Sequence, residues 1–289
     1  MMRPTSRTAL RILLATAALA LAWQTLTSVL GWKAQFGESN YMANRIRLEE
    51  YLLLPAAPRN VLVGSSLSGR LLPEFFAGTS LEGFSTLGLD GSIPLVGLEA
   101  LAHRADLPST VFIETYLLEK PWSRNDQMLL DGLASPGTAL ARKVPLVRAS
   151  RRPSSLLYSA MKARRDGAGA GVLVTNDPSV REPGPAVDVS PSDPQVVERW
   201  RGMLKSLADR GVRAVLVDLP SGEVRMPGGR TAPDLADAMV REFGLVRVDL
   251  RKSWFERGWK PTYTDGRHLD GASAKATARM LAEWKPRRE

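Results

Sequence analysis

Five short apolar runs punctuate the chain: VLVG at 61–64, a stretch around 84–88, TVFIETY at 110–116, RAVLVDL at 213–219 and LVRVDL at 245–250. They are too short for helices, mostly rich in β-branched residues, and bounded by Gly or polar residues, as buried strands are. Between them lie segments of helical spacing: about 94 to 104, PQVVERWRGMLKSLADRG, PDLADAMVREFG and, last, the alanine-rich GASAKATARMLAEW. Two of these close on a Gly suited to the position after a helix. Strands alternating with helices predict an α/β fold, a five-stranded parallel sheet covered by helices on both faces. Five strands fit one three-layer α/β/α domain better than two domains. In such sheets, sites open outside the carboxyl ends of the strands.

The first thirty residues stand apart. Arg3, Arg7 and Arg11 precede a charge-free run from Ile12 to Trp32, which as a helix would rise about 31 Å, close to the hydrocarbon thickness of a bilayer. Ala18-Leu19-Ala20 and Ala20-Leu21-Ala22 are sites a signal peptidase could use. Apolar character persists through Val29-Leu30-Gly31-Trp32, which favours a retained anchor. Either way the arginines lie in the cytoplasm and the remaining chain outside it. The expected organisation is an anchor over 1–33, a connecting helix over 34–58, and a domain over 59–289. The expected location is the inner membrane, single-pass, with the domain periplasmic.

With 44% hydrophobic and 24% charged residues the composition is that of a globular protein. The absence of cysteine excludes disulfides, thiolate catalysis and Cys-based metal sites. With only His103 and His268, a His-rich metal centre is not expected, and no metal or organic cofactor is implied. The net charge of +9 favours anionic partners. A segment from about 120 to 193 interrupts the strand–helix rhythm. Between Arg142 and Arg165 it holds eight basic residues and no acidic one, and it ends in a Pro-rich tract. It reads as a solvated helical excursion, or as a lid or docking surface facing anionic lipid or an anionic polymer. Basic residues are not interleaved with stacking aromatics here, so nucleic acid is not an expected partner.

Chemistry concentrates in two places. After the first strand, Gly64 is followed by Ser65, Ser66 and Ser68. Near the end, Asp265 and His268 stand three apart in a Gly-containing turn. A serine hydroxyl becomes a nucleophile when a base takes its proton, and the base needs a partner that fixes its tautomer. An Asp-x-x-His turn delivers both. Ser66 could instead cap a helix, Gly91 could serve only a positive-φ turn, and Asp265 could be a turn former. His103 reads as a surface or packing residue, and Asp218 and Asp249 as strand-terminal residues outside the site. Glu114 and Tyr116 end a strand expected beside Ser66, and are candidates to line the site.

The set Gly64-Ser65-Ser66, Gly91 in LGLDGS, and Asp265-Gly266-Arg267-His268 resembles the SGNH (GDSL-like) hydrolase superfamily, in order and spacing over roughly 60–285. The resemblance implies a flavodoxin-like three-layer fold. It further implies Ser66 as nucleophile, His268 as base, Asp265 as its orienting acid, and Gly91 as an oxyanion donor with the Ser66 N–H. One block departs: where the family places an asparagine after the middle strand, Glu114-Thr115-Tyr116 stand. The pattern also looks like membrane-anchored members that handle acyl groups on extracytoplasmic polysaccharides. That likeness implies an esterase or O-acyltransferase acting on an acylated carbohydrate, with a membrane acyltransferase as possible partner. A non-catalytic binding or scaffolding subunit is the alternative, and a lipid-directed lipase or thioesterase a third. A sugar substrate would favour aromatic platforms such as Trp122 or Trp254.

Overall fold

The sheet grows outward from β1 (Asn60–Ser65), whose six residues are all buried. The computed structural model describes residues 6–31, 33–34, 36–165, 193–221, 233–264 and 267–284. β1 pairs in parallel with β2 (Ser85–Leu89) on one side and with β3 (Thr110–Glu114) on the other. Beyond β3 come β4 (Arg213–Asp218) and β5 (Val246–Asp249), also parallel, giving the order β2-β1-β3-β4-β5. The expected five-stranded parallel sheet is present, with each strand within a residue or two of its predicted bounds.

Alternation along the strands divides the core in two. Val61, Val63, Val111, Ile113, Ala214 and Leu216 face one cluster, while Leu62, Phe112, Val215, Val217 and Val248 face the other. The first cluster is closed by α2 (Asn40–Leu52), α3 (Pro94–Ala102), α4 (Arg124–Ala134), α7 (Pro194–Asp209) and α8 (Pro233–Phe243). In the second lie α9 (Leu250–Glu256), α10 (Gly271–Glu283) and a stacked pair, Phe76 and Phe84, 4.1 Å between ring centroids. Each large side chain buried here contributes about 1.5–3 kcal/mol. Trp200 of α7 is fully buried, and its Nε1–H donates to Leu118 O at 3.1 Å, tying that helix to the turn after β3.

Helix starts follow their capping residues. Ser39 accepts from Met42 N to open α2, Ser123 and Asp126 form a reciprocal box at α4, and Asp193 with Pro194 begins α7. The expectation for 34–58 needs refining. α2 is shorter than a linker of that span and is a core helix, with eight of its thirteen residues buried. Its three- and four-residue apolar spacing is that of a packed face, and its buried Asn44 and Glu49 are both hydrogen-bonded.

The excursion after β3 contains α4, α5 (Pro136–Lys143) and α6 (Pro153–Arg165), with short 3-10 turns at Pro145–Val147 and Ala149–Arg151. Its Pro-rich tract lies outside the described residues. Ahead of the domain, α1 (Ser6–Val29) contains a stretch, Arg7–Val29, long and apolar enough to cross a membrane.

Candidate active site

At the carboxyl end of β1 the chain turns, and the three serines of this turn part company. Ser65 and Ser68 are buried, while Ser66 stays partly exposed. The Ser66 Oγ lies 2.7 Å from His268 Nε2, across 202 residues of sequence. In the tautomer that leaves Nε2 unprotonated, a hydroxyl at this distance donates to it, with its proton on the path to a base.

Ser65 and Ser68 are held by Glu114, at the matching end of β3. One carboxyl oxygen accepts from the Ser65 hydroxyl at 2.6 Å. The other accepts from Ser65 N at 2.9 Å, Ser68 N at 3.0 Å and the Ser68 hydroxyl at 2.5 Å. Glu114 is 0% exposed, and burial pushes its carboxyl above the ordinary range against the lowering effect of these bonds. The expectation that Glu114 lines the site is therefore corrected: it sits behind the turn and fixes its backbone. Gly64 makes room for this arrangement. A Cβ there would come 2.1 Å from Ser68 Oγ and 2.3 Å from Glu114 Oε2.

His268 is delivered by a small hairpin between α9 and α10. Tyr263 and Leu269 form an antiparallel bridge, Thr264 N donates to His268 O at 2.9 Å, and Asp270 N donates to Thr262 O at 3.0 Å. Asp270 also caps α10 by accepting from Ser273 N at 2.8 Å, and it accepts from the Thr262 hydroxyl. Burial pushes the Asp270 carboxyl up, but hydrogen bonds from Thr262 and Ser273 outweigh it and hold it below the usual range. His268 is thus anchored to the first turn of a core helix. Asp265 lies outside the described residues.

Gly91 follows β2 at the same sheet edge, since Ser65 pairs with Leu89 in register. Its φ of 71° is one that a residue with a Cβ adopts at a cost, so glycine suits this turn. The turn is braced from α2, a source the sequence reading missed. Asn44 donates to Asp90 O at 3.0 Å and to Ser92 Oγ at 3.3 Å, and accepts from Asp90 N at 2.8 Å. Arg47 donates to Gly88 O at 2.9 Å and pairs with Asp90 at 3.1 Å. Lys120, from the turn beyond β3, donates its ammonium to Gly91 O. Asn44 was hidden because a polar residue on a helix read as a connector gives no sign of its partner 46 positions away.

The other candidates have these surroundings. Tyr116 is half-buried and its ring packs on the second core cluster. Trp254 is buried with its Nε1–H donating to Thr277, and Trp122 packs on the first cluster beneath the Arg199 guanidinium, 4.3 Å from the ring. Neither is an open platform for a sugar. Asp218 accepts two bonds from Arg247, at 2.7 and 2.9 Å, and one from Thr115. Asp249 caps α9 through Lys252 N at 3.0 Å, and His103 is exposed at the far end of α3. Among the described residues no group of three or more His, Asp or Glu is placed to hold a metal ion. No family model matches the sequence, and no curated protein matches it.

Proposed function

We propose that the chain is a serine-dependent acyl-ester enzyme of SGNH type, an esterase or O-acyltransferase, held outside the cytoplasmic membrane by α1. The observation that carries this reading is the 2.7 Å contact of Ser66 Oγ with His268 Nε2 at the carboxyl edge of a parallel sheet. The resemblance in the sequence adds the substrate class, acyl esters on an exported polysaccharide, with O-acetyl groups foremost.

In this mechanism Ser66 Oγ bonds to the acyl carbon as its proton passes to His268 Nε2, and the carbonyl electron pair moves onto oxygen. The N–H groups of Ser66 and Gly91 receive that oxyanion. The tetrahedral centre collapses, the ester C–O bond breaks, and the departing alcohol takes the proton from His268. Water, or a sugar hydroxyl, then attacks the acyl-enzyme, giving its proton to His268, and Ser66 leaves with that proton restored. Asp265 orients the imidazole so that Nε2 is the acceptor. Glu114 takes no part in proton transfer and holds the turn that presents Ser66. The missing asparagine removes a donor worth about 10²–10³ in kcat and leaves the oxyanion to the Ser66 and Gly91 N–H groups.

Fluorophosphonate labelling of the full chain in detergent, beside p-nitrophenyl acetate hydrolysis, tests the reading. The wild type is expected to label and turn over, and Ser66→Ala and His268→Ala each to lose turnover by at least about 10³-fold. A second reading has one specific support: Glu114 stands where the family's amide donor would be and is consumed by the serine turn. It makes the protein a non-catalytic polysaccharide-binding or scaffolding subunit of a membrane acylation complex. Folded wild type that neither labels nor turns over would overturn the first reading in favour of this one.

A further inference from the structure

The basic excursion is not a free surface feature. It is the part of the domain that grips α1. Trp23 Nε1–H donates to Arg151 O at 3.0 Å, Thr27 is fully buried, and α1 touches the 3-10 turn Pro145–Val147. The chain leaving α1 stays on the same ground. Ala34 N donates to Ser150 O at 2.7 Å, Phe36 and Ser159 exchange hydrogen bonds at 2.9 Å, and Glu38 accepts from Ser154 and Ser155. From the other side, α2 clamps it through Glu49, which accepts from Ala149 N at 2.7 Å, and Glu50, which accepts from the Ser150 hydroxyl at 2.6 Å. Its position relative to α1 is therefore fixed.

That position has a consequence for depth. Along α1, burial begins at Ala20 and recurs at Trp23, Gln24 and Thr27. The stretch ahead of it, Arg7 to Leu19, rises only about 18 Å, whereas the hydrocarbon layer is about 30 Å thick. If α1 spans, the rest of the crossing must come from residues that carry the domain with them. The gripping surface then lies level with the outer leaflet. Its composition suits that place. Outside α1 and Leu30, eleven large hydrophobic residues are exposed among those described, and six of them are Leu140, Val144, Val147, Leu157, Tyr158 and Met161. Leu157 and Met161, 64% and 62% exposed, stand one turn apart on α6. Arg142, Lys143 and Arg164 are exposed beside them.

We propose that the 136–165 segment is a membrane-interface surface: its exposed apolar side chains enter the headgroup–acyl boundary of an anionic bilayer while its exposed Arg142, Lys143 and Arg164 pair with the acidic headgroups. Helices of this composition lie in the interface, buried about 5–10 Å, and basic residues beside an anionic leaflet strengthen the attraction. The inference rests on the reading of α1 as a membrane anchor and is independent of the serine chemistry. On it, the domain does not swing on a tether but stands on the bilayer in one orientation.

The lack of cysteine gives a clean test. Nitroxide labels are placed one at a time by Leu157→Cys, Met161→Cys, Leu13→Cys in α1 and Phe255→Cys on α9, which is 84% exposed. The full chain is reconstituted in vesicles of phosphatidylcholine alone or mixed equally with phosphatidylglycerol, and collision with oxygen is compared with collision with a water-soluble chelate. Labels at 157 and 161 are expected to behave as lipid-embedded, like that at 13, and more deeply in the anionic vesicles. The triple variant Arg142→Gln, Lys143→Gln, Arg164→Gln should lose that dependence on composition. Labels at 157 and 161 as aqueous as that at 255, with 13 embedded, would overturn the interface surface and leave the anchor standing. An aqueous label at 13 would overturn both, and equal depth in both vesicle types would overturn the pairing with acidic headgroups.

Discussion

Glu114 takes four hydrogen bonds from two serines and yet has its carboxyl pushed above the ordinary range by burial. The folded state therefore holds this proton more tightly than the unfolded chain does, so stability declines as pH rises from the usual carboxyl value of 4.5 through the raised one and levels off above it. Glu114→Gln removes the titration while keeping the shape. Urea midpoints measured from about pH 4 to about pH 8 are expected to fall with pH in the wild type and to fall less in the variant. Glu114→Ala leaves several buried donors without an acceptor and should cost at least about 3 kcal/mol. Much at this scale was legible: the Gly-Ser-Ser register and the Asp-x-x-His turn pointed to Ser66 and His268 as a pair, and the structure brings those two into contact. What was not legible is that Glu114 faces inward. A strand-terminal acid looks the same in sequence whether it meets solvent or two hydroxyls, because its partners lie 46 and 49 residues away.

The turn carrying Gly91 shows how one element is positioned by another. Asn44 and Arg47 of α2 hold Gly88, Asp90 and Ser92, while Lys120 holds Gly91 from the opposite side. Asn44→Ala should cost about 1–3 kcal/mol of stability and, by loosening the turn, lower kcat about tenfold with little change in KM. Thermal unfolding and ester kinetics on one preparation check both. Strand and helix identities were readable because periods of 2 and 3.6 are local properties. α9 was not foreseen, since seven residues are too few to establish a period. The integration of α2 into the core was missed for a related reason: an amphipathic stretch declares that it has a face, but not what the face meets.

At the level of the whole molecule, the domain and α1 form one joined unit through Trp23, Thr27 and the 145–152 turns. If α1 is an uncleaved anchor, the full chain should stay with the membrane fraction after alkaline carbonate extraction, and a C-terminal alkaline phosphatase fusion should be active. Release by carbonate would mean that α1 does not span, and an inactive fusion would reverse the topology.

Ser66 and His268 touch across 202 residues, so the proposed nucleophile and its base belong to opposite ends of translation. A chain that emerges N-terminus first has its serine turn synthesised long before His268 appears. During that interval the hydroxyl has no base and is chemically ordinary. The proposed reactivity would switch on only when the last twenty or so residues arrive and α10 docks, a delay that follows from chain order alone.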